Sequence, residues 1–150
     1  MSCQKKLQTL ISDNFIVYFK THVYHLNVTG PNFPQYHSLF QEVYEYLLEA
    51  HDGLNEQCRQ MGGMCMTSLK DYAEESNFSL DNKAKKDEGM LADLADSLED
   101  ILTISQMLYD EAGKESHGAL ETYIGDYMTG VSKLKWKLES CKWKAIMYKP

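Results

Sequence analysis

The chain has little of what makes tight turns or cross-links. Its 150 residues include only three prolines and nine glycines, too few for many short strands joined by turns, so long helices are expected. The four cysteines, Cys3, Cys58, Cys65 and Cys141, form no Cys-x-x-Cys pair. A zinc ribbon or dithiol redox motif therefore lacks support, and the thiols read as reduced. No window approaches the ~18 apolar residues of a bilayer span. The opening MSCQKKLQTLISDNF is too polar for a cleavable signal, so a cytoplasmic protein is the expectation. Positive charge is also in deficit: 15 Lys and Arg face 22 Asp and Glu, a net charge of −7. That balance disfavours general attraction to nucleic acid or acidic membranes and suits a chain that handles cations. At this length a single domain, residues 1–150, can bury a core without disulfides.

What is present is helical periodicity. Leu7, Leu10, Ile11, Phe15, Tyr18 and Phe19 recur at three- and four-residue spacing and predict a helix over about residues 5–27, ended by Gly30-Pro31. A second helix is expected from Pro34 to the Gly62-Gly63 pair, with Leu39, Phe40, Val43, Tyr44, Leu47, Leu48 and Leu54 as its stripe. A long connection follows. Within it TSLKDYAEES reads as a short helix with Ser68 as N-cap and Asp71 in its first turn. A third long helix, about residues 85–112, carries Leu91, Leu94, Leu98, Ile101, Leu102 and Leu108 and is expected to stop at Gly113. The fourth, about residues 117–147, carries Leu120, Ile124, Met128, Val131, Leu134, Leu138 and Ile146. The fold expected is all-α: a ferritin-like four-helix bundle with a short extra helix in the long crossover between the second and third long helices.

Di-iron bundles usually carry Glu-x-x-His on two helices. Here the residues three before His22, His25, His37, His51 and His117 are Phe19, His22, Pro34, Leu48 and Lys114, so an intra-bundle di-iron centre is not expected. The second helix offers another set. His37, Gln41, Leu48, Asp52 and Glu56 fall within about 100° of one another around it. Asp52 and Glu56, four apart, place two carboxylates side by side, able to chelate one divalent ion. His37 and Asp52 lie fifteen residues apart, about 22 Å along a helix, and cannot share an ion within one chain. Two copies of the helix crossing antiparallel near Tyr44 and Glu45 would bring His37 of one subunit to the acidic pair of the other. The Gly-Pro loop returns His25 to the neighbourhood of His37. Two His, an Asp and a Glu with open positions suit Fe(II), with zinc and manganese open on ligand type. The plainer reading is two helix-end imidazoles and a solvated acidic face.

KTHVYHLNVTGPNF, then His37, then HDGLNEQCRQMGG closely resemble the Dps family, the dodecameric mini-ferritins of starved cells. His25, His37, Asp52 and Glu56 match the family's ligand spacing, with Asn27, Val28, Gly30, Phe33, Phe40 and Arg59 also in place. The likeness covers about residues 15–63 and a closing segment around Glu139 and Trp143. The resemblance implies a homo-oligomeric cage of twelve subunits with ferroxidase sites at two-fold interfaces. It also implies an oxidoreductase that consumes Fe(II) and hydrogen peroxide, stores Fe(III) as mineral and so limits oxidative damage. His25, His37, Asp52 and Glu56 would be both the metal-binding and the catalytic residues.

Two positions depart from the family's pattern. Gln41 stands where an Asp is common, which removes a negative charge from the second iron position while leaving an amide oxygen able to bind or hydrogen-bond. His22 and His51 are candidates to compensate, the plainer reading of each being an ordinary surface histidine. Leu26 stands where a Trp is usual, which removes an aromatic group able to absorb stray oxidising equivalents. The lysine-rich tail of DNA-binding members is missing. A basic stretch, KLKWKLESCKWKAIMYK, holds six lysines and one glutamate, with Lys133, Lys137 and Lys144 on one face. Lysines favoured at a helix C-terminus and snorkelling over apolar neighbours are the plainer reading, and salt-sensitive DNA binding is a secondary expectation. Glu42, Glu45 and Glu49, with Glu121 and Asp126 where the family places pore acids, could serve iron entry. The competing readings are a nucleic-acid-coating cage with a weakened metal site and a purely structural helical oligomer.

Overall fold

A computed structural model describes residues 2–83 and 85–142. Among them are five helices and no strand: α1 (Cys3–Asn27), α2 (Phe33–Gln60), α3 (Leu69–Glu75), α4 (Asp87–Lys114) and α5 (Gly118–Ser140). α1 packs on α2, and α4 on α5, as two helical hairpins. The hairpins meet through α1 against α4 and α2 against α5, while α3, carried by the crossover, lies on α1. This is the four-helix bundle with a crossover helix that the periodicity predicts. No helix among the described residues is long and apolar enough to cross a membrane.

The helix ends follow from local chemistry. The Ser2 hydroxyl accepts from the Lys5 amide at 3.2 Å, and Glu115 at the far end of α4 accepts from the Cys3 amide at 2.9 Å. Both satisfy α1 donors that have no partner inside the helix. Ser68 caps α3 as expected, accepting from the Asp71 amide at 3.1 Å. Gly30, at φ +117°, takes the left-handed backbone that turns α1 into α2.

α4 does not stop at Gly113. It runs to Lys114, and the reversal falls on Ser116 at φ +60°. The His117 amide bonds the Ala112 carbonyl at 2.8 Å and the Ser116 amide bonds that of Gly113 at 3.2 Å, a Schellman closure with serine in glycine's usual place. α5 ends at Ser140, with Cys141 as its C-cap. The predicted continuation through Ile146 to residue 147, like Trp143 and Lys144, lies outside the described residues.

The predicted stripes of α4 and α5 are largely the core: Leu91, Leu94, Leu98, Ile101, Leu108, Leu120, Ile124, Val131, Leu134 and Leu138 are buried. α1 and α2 differ, because Phe19 is 61% exposed and Leu48 45% exposed although both belong to the apolar pattern. These two helices carry exposed apolar side chains that none of the described residues covers. All four cysteines are free. Burial, aided by the Glu115 and Glu111 carboxylates, pushes the Cys3 thiol up to about 11, disfavouring the thiolate.

A polar bolt crosses the apolar centre. Asn14, fully buried, donates to the Leu47 carbonyl at 2.8 Å and accepts from the Tyr127 hydroxyl at 2.8 Å, tying α1, α2 and α5 together. Removing the hydroxyl with Tyr127→Phe strands a buried amide oxygen. We expect a loss of about 1–3 kcal/mol in denaturant unfolding, with the helical content unchanged.

Asp13 straps the crossover down by accepting from the Ser76 hydroxyl at 2.7 Å, the Asn77 amide at 2.7 Å and the Asn77 side chain at 3.0 Å. Further along α1, the Tyr24 hydroxyl donates to Asp93 at 2.6 Å and Lys20 pairs with the same carboxylate at 3.1 Å. Burial alone would raise the Asp93 pKa, but Tyr24, Lys20 and Lys85 outweigh it and hold the carboxyl below its usual value. A depressed carboxyl stabilises the fold above its unfolded value and loses that contribution as pH falls through the folded value. Asp93→Asn is therefore expected to lower the melting temperature at pH 7, the gap from wild type closing below about pH 4.

Candidate metal centre

The last turn of α1 and the first turns of α2 converge across the loop of residues 28–32, and there the structure brings His25 and His37 together. Their rings stack with centroids 3.7 Å apart and planes 16° from parallel. His25 Nδ1 bonds the His37 carbonyl oxygen at 2.7 Å, and His37 Nδ1 bonds the His25 carbonyl oxygen at 2.7 Å. A carbonyl oxygen can only accept, so each Nδ1 is the donor and carries the proton. In the neutral ring the lone pair is then on Nε2, the tautomer a metal ligand needs. Phe33 packs on His37 at 4.9 Å, and His25 is only 7% exposed. We expect ¹⁵N–¹H correlations at pH 8 to show both imidazoles as Nδ1–H tautomers, and added Zn(II) to shift the two Nε2 resonances first.

Asp52 and Glu56 stand exposed and adjacent on α2. The hydrogen bond to Asp52, and then its charge, lift the Glu56 carboxyl above the ordinary glutamate value, as expected of neighbouring carboxylates competing for one proton. Tyr123 of α5 reaches across beside them. A Cβ at Gly53 would overlap its phenol, so that glycine is what admits the ring. The matching contact runs the other way at Gly130, which takes the Tyr46 ring of α2. Burial, then the Glu49, Glu56 and Asp52 charges, raise the Tyr123 phenol above its usual pKa.

The imidazoles and the acidic pair do not meet within one chain. α2 is unbroken from Phe33 to Gln60, and fifteen residues of helix separate His37 from Asp52 by about 22 Å. Among the described residues no group of three or more His, Cys, Asp and Glu could hold a metal within the single chain.

The remaining candidates have other partners. Gln41 donates to Glu45 at 2.8 Å. His51 turns toward α1 and α3, its ring 5.2 Å from Phe15 and 5.6 Å from Tyr72, and burial lowers its pKa. His22 lies 6.0 Å from His25, ring to ring, with Nδ1 3.2 Å from the Tyr18 hydroxyl. Lys137 is ion-paired with Glu42 and Lys135 with Glu99 and Glu139, so two of the six lysines of the basic stretch are matched by acids of the same chain. Asp126 and Glu49 line a shallow cavity with Tyr46 and Tyr123, whereas Glu121 lies against Gly113.

Tyr44 and Tyr18 were legible only as apolar-stripe residues. The signal that marks them is spacing: Tyr18 precedes His25 by seven residues and Tyr44 follows His37 by seven, two turns along the same face in each case. Tyr44 lies 5.1 Å from His25 and stacks on His22 at 4.2 Å.

Comparison with known proteins bears on this arrangement. A ferritin-like domain family matches residues 4–145. The DNA protection during starvation protein of Brevibacillus brevis is 25% identical, with 89% of this chain and 90% of the relative aligned. An uncharacterized low temperature-induced protein of Nostoc is 27% identical over 87% of this chain and 74% of the relative. Among solved structures, Dps from Staphylococcus aureus superposes with a TM-score of 0.88 at 26% identity, covering 93% of each chain. Dps from Thermosynechococcus elongatus reaches 0.91 at 18% identity, covering 95% of this chain and 91% of that one, a likeness of fold.

Proposed function

We propose, for a chain that belongs to the Dps family of ferritin-like domain proteins, that it is a ferroxidase and iron store. In this reading its metal site is shared between two subunits. The observation that carries it is the pair of interlocked imidazoles, each bonding a carbonyl through Nδ1 and so holding its lone pair on Nε2, at one end of a helix face whose other end bears Asp52 and Glu56. Antiparallel pairing of α2 about a two-fold axis near Tyr44 sets His25 and His37 of one subunit against the partner's acidic pair, twice per dimer. Exposed apolar side chains on the same two helices, Phe19, Leu26 (66% exposed), Phe33 and Leu48, supply a surface that such a partner would bury.

The donor set fits Fe(II) as substrate. Carboxylates stabilise Fe(III) more than Fe(II) and so favour electron loss, while neutral imidazoles bind without cancelling charge and leave positions open for an oxidant. Over the full cycle hydrogen peroxide takes up two electrons at the expense of two Fe(II), with two protons from solvent, giving two waters and no hydroxyl radical. The Fe(III) then passes to a mineral inside the dodecameric cage. With Lys135 and Lys137 already paired to acidic neighbours, no observation favours nucleic-acid coating over iron chemistry.

The double variant Asp52→Ala, Glu56→Ala tests the assignment. It should assemble as wild type does by light scattering, yet oxidise Fe(II) with peroxide roughly 100-fold more slowly in stopped flow. Wild-type rates in that variant would refute the site, and a wild-type chain that stays monomeric would refute the sharing.

A further inference from the structure

A file of rings leads from the imidazole pair into the seam between α1 and α2. His37 stacks on His25, Tyr44 stands edge-on to His25 at 5.1 Å, and His22 stacks on Tyr44 at 4.2 Å with planes 9° apart. Tyr18 closes the file, 5.9 Å from His22 and 6.2 Å from Tyr44 by ring centroids, with its hydroxyl 3.2 Å from His22 Nδ1. All three of Tyr18, His22 and Tyr44 are half-buried. A phenol hydrogen-bonded to an imidazole is the arrangement that lets an electron and a proton leave together, the electron through neighbouring rings and the proton across one hydrogen bond.

The need for such a donor follows from Gln41. Its amide is neutral and is bonded to Glu45 at 2.8 Å, so the second iron position lacks the anion that would help hold it. A site holding one Fe(II) has one electron for a two-electron oxidant, and a single-electron reduction of peroxide releases hydroxyl radical. Resting on the iron site proposed above, we infer that Tyr18, with His22 as its proton acceptor and Tyr44 as the bridging ring, supplies the second electron. In that step Fe(II) gives one electron and becomes Fe(III). Tyr18 gives the other and becomes a phenoxyl radical, its proton moving to His22 Nδ1. The peroxide O–O bond breaks, and two protons from solvent complete two waters. A later Fe(II) returns an electron to Tyr18, and His22 returns the proton.

The test uses the assembled protein loaded with Fe(II) without oxygen, then mixed with less than one equivalent of hydrogen peroxide. Freeze-quench EPR reads the radical, spin trapping reads hydroxyl radical, and anaerobic titration reads Fe(II) uptake. Wild type should show a tyrosyl radical. Tyr18→Phe should take up Fe(II) as wild type does, lose that radical and release several-fold more trapped hydroxyl radical. An unchanged radical and trap yield in Tyr18→Phe overturns the inference, as does loss of the radical in Tyr44→Phe with Tyr18→Phe unaffected. Fast oxidation without any tyrosyl radical in wild type overturns it and leaves the iron site standing. No saturable Fe(II) uptake by wild type overturns both.

Discussion

The site's geometry depends on a pair of hydrogen bonds that each of two histidines makes to the other's backbone. The His25 and His37 side chains exchange Nδ1 bonds with each other's carbonyl groups at 2.7 Å. That exchange fixes the end of α1 against the start of α2, settles both tautomers and turns both free nitrogens away from the main chain. The loop between them could not do this alone. Gly30 gives the reversal its left-handed residue, but a glycine supplies freedom, and the crossed bonds remove it. Once the hairpin is locked, α2 extends as one rod, and the distance from His37 to the Asp52–Glu56 pair becomes a constant of helix geometry.

The bundle's interior serves the same end. Asn14 joins three helices through one amide and one phenol, and Asp13 holds the crossover through three donors. Neither group touches the imidazoles or the acidic pair. They set the relative placement of α1, α2 and α5 and the crossover, and with it the surface on which those groups stand.

Much of this was legible in the chain. Helices of this length announce themselves by period, and the spacing from His25 to His37, Asp52 and Glu56 belongs to a recognisable pattern. The misreadings have physical causes. Phe19 and Leu48 obey the apolar period and yet are exposed, because periodicity reports that a face is apolar and is silent on which molecule covers it. Gly113 looked like a stop, but the left-handed residue is Ser116, where the closing hydrogen bonds offset the cost of a side chain. The partners of Lys135 and Lys137, acids on α4 and α2, could not be named from the chain. Contacts between helices depend on their rotation, which no local pattern encodes, and the stacking of His22 on Tyr44 is hidden for the same reason.

The paired tyrosines and glycines of α2 and α5 carry a consequence for how this sequence can change. Greasy surfaces tolerate sliding, since one leucine replaces another at little cost. A ring seated where only a hydrogen fits does not, and here each helix holds one such key and one such keyhole, Tyr46 into Gly130 and Tyr123 into Gly53. Shifting α2 by a single residue would drive Asp52 or Leu54 into the Tyr123 phenol. Insertions or deletions in the middle of this helix therefore cannot be absorbed by slippage. The carboxylates beside Gly53 are indexed to the bundle by a steric ratchet and not by oil.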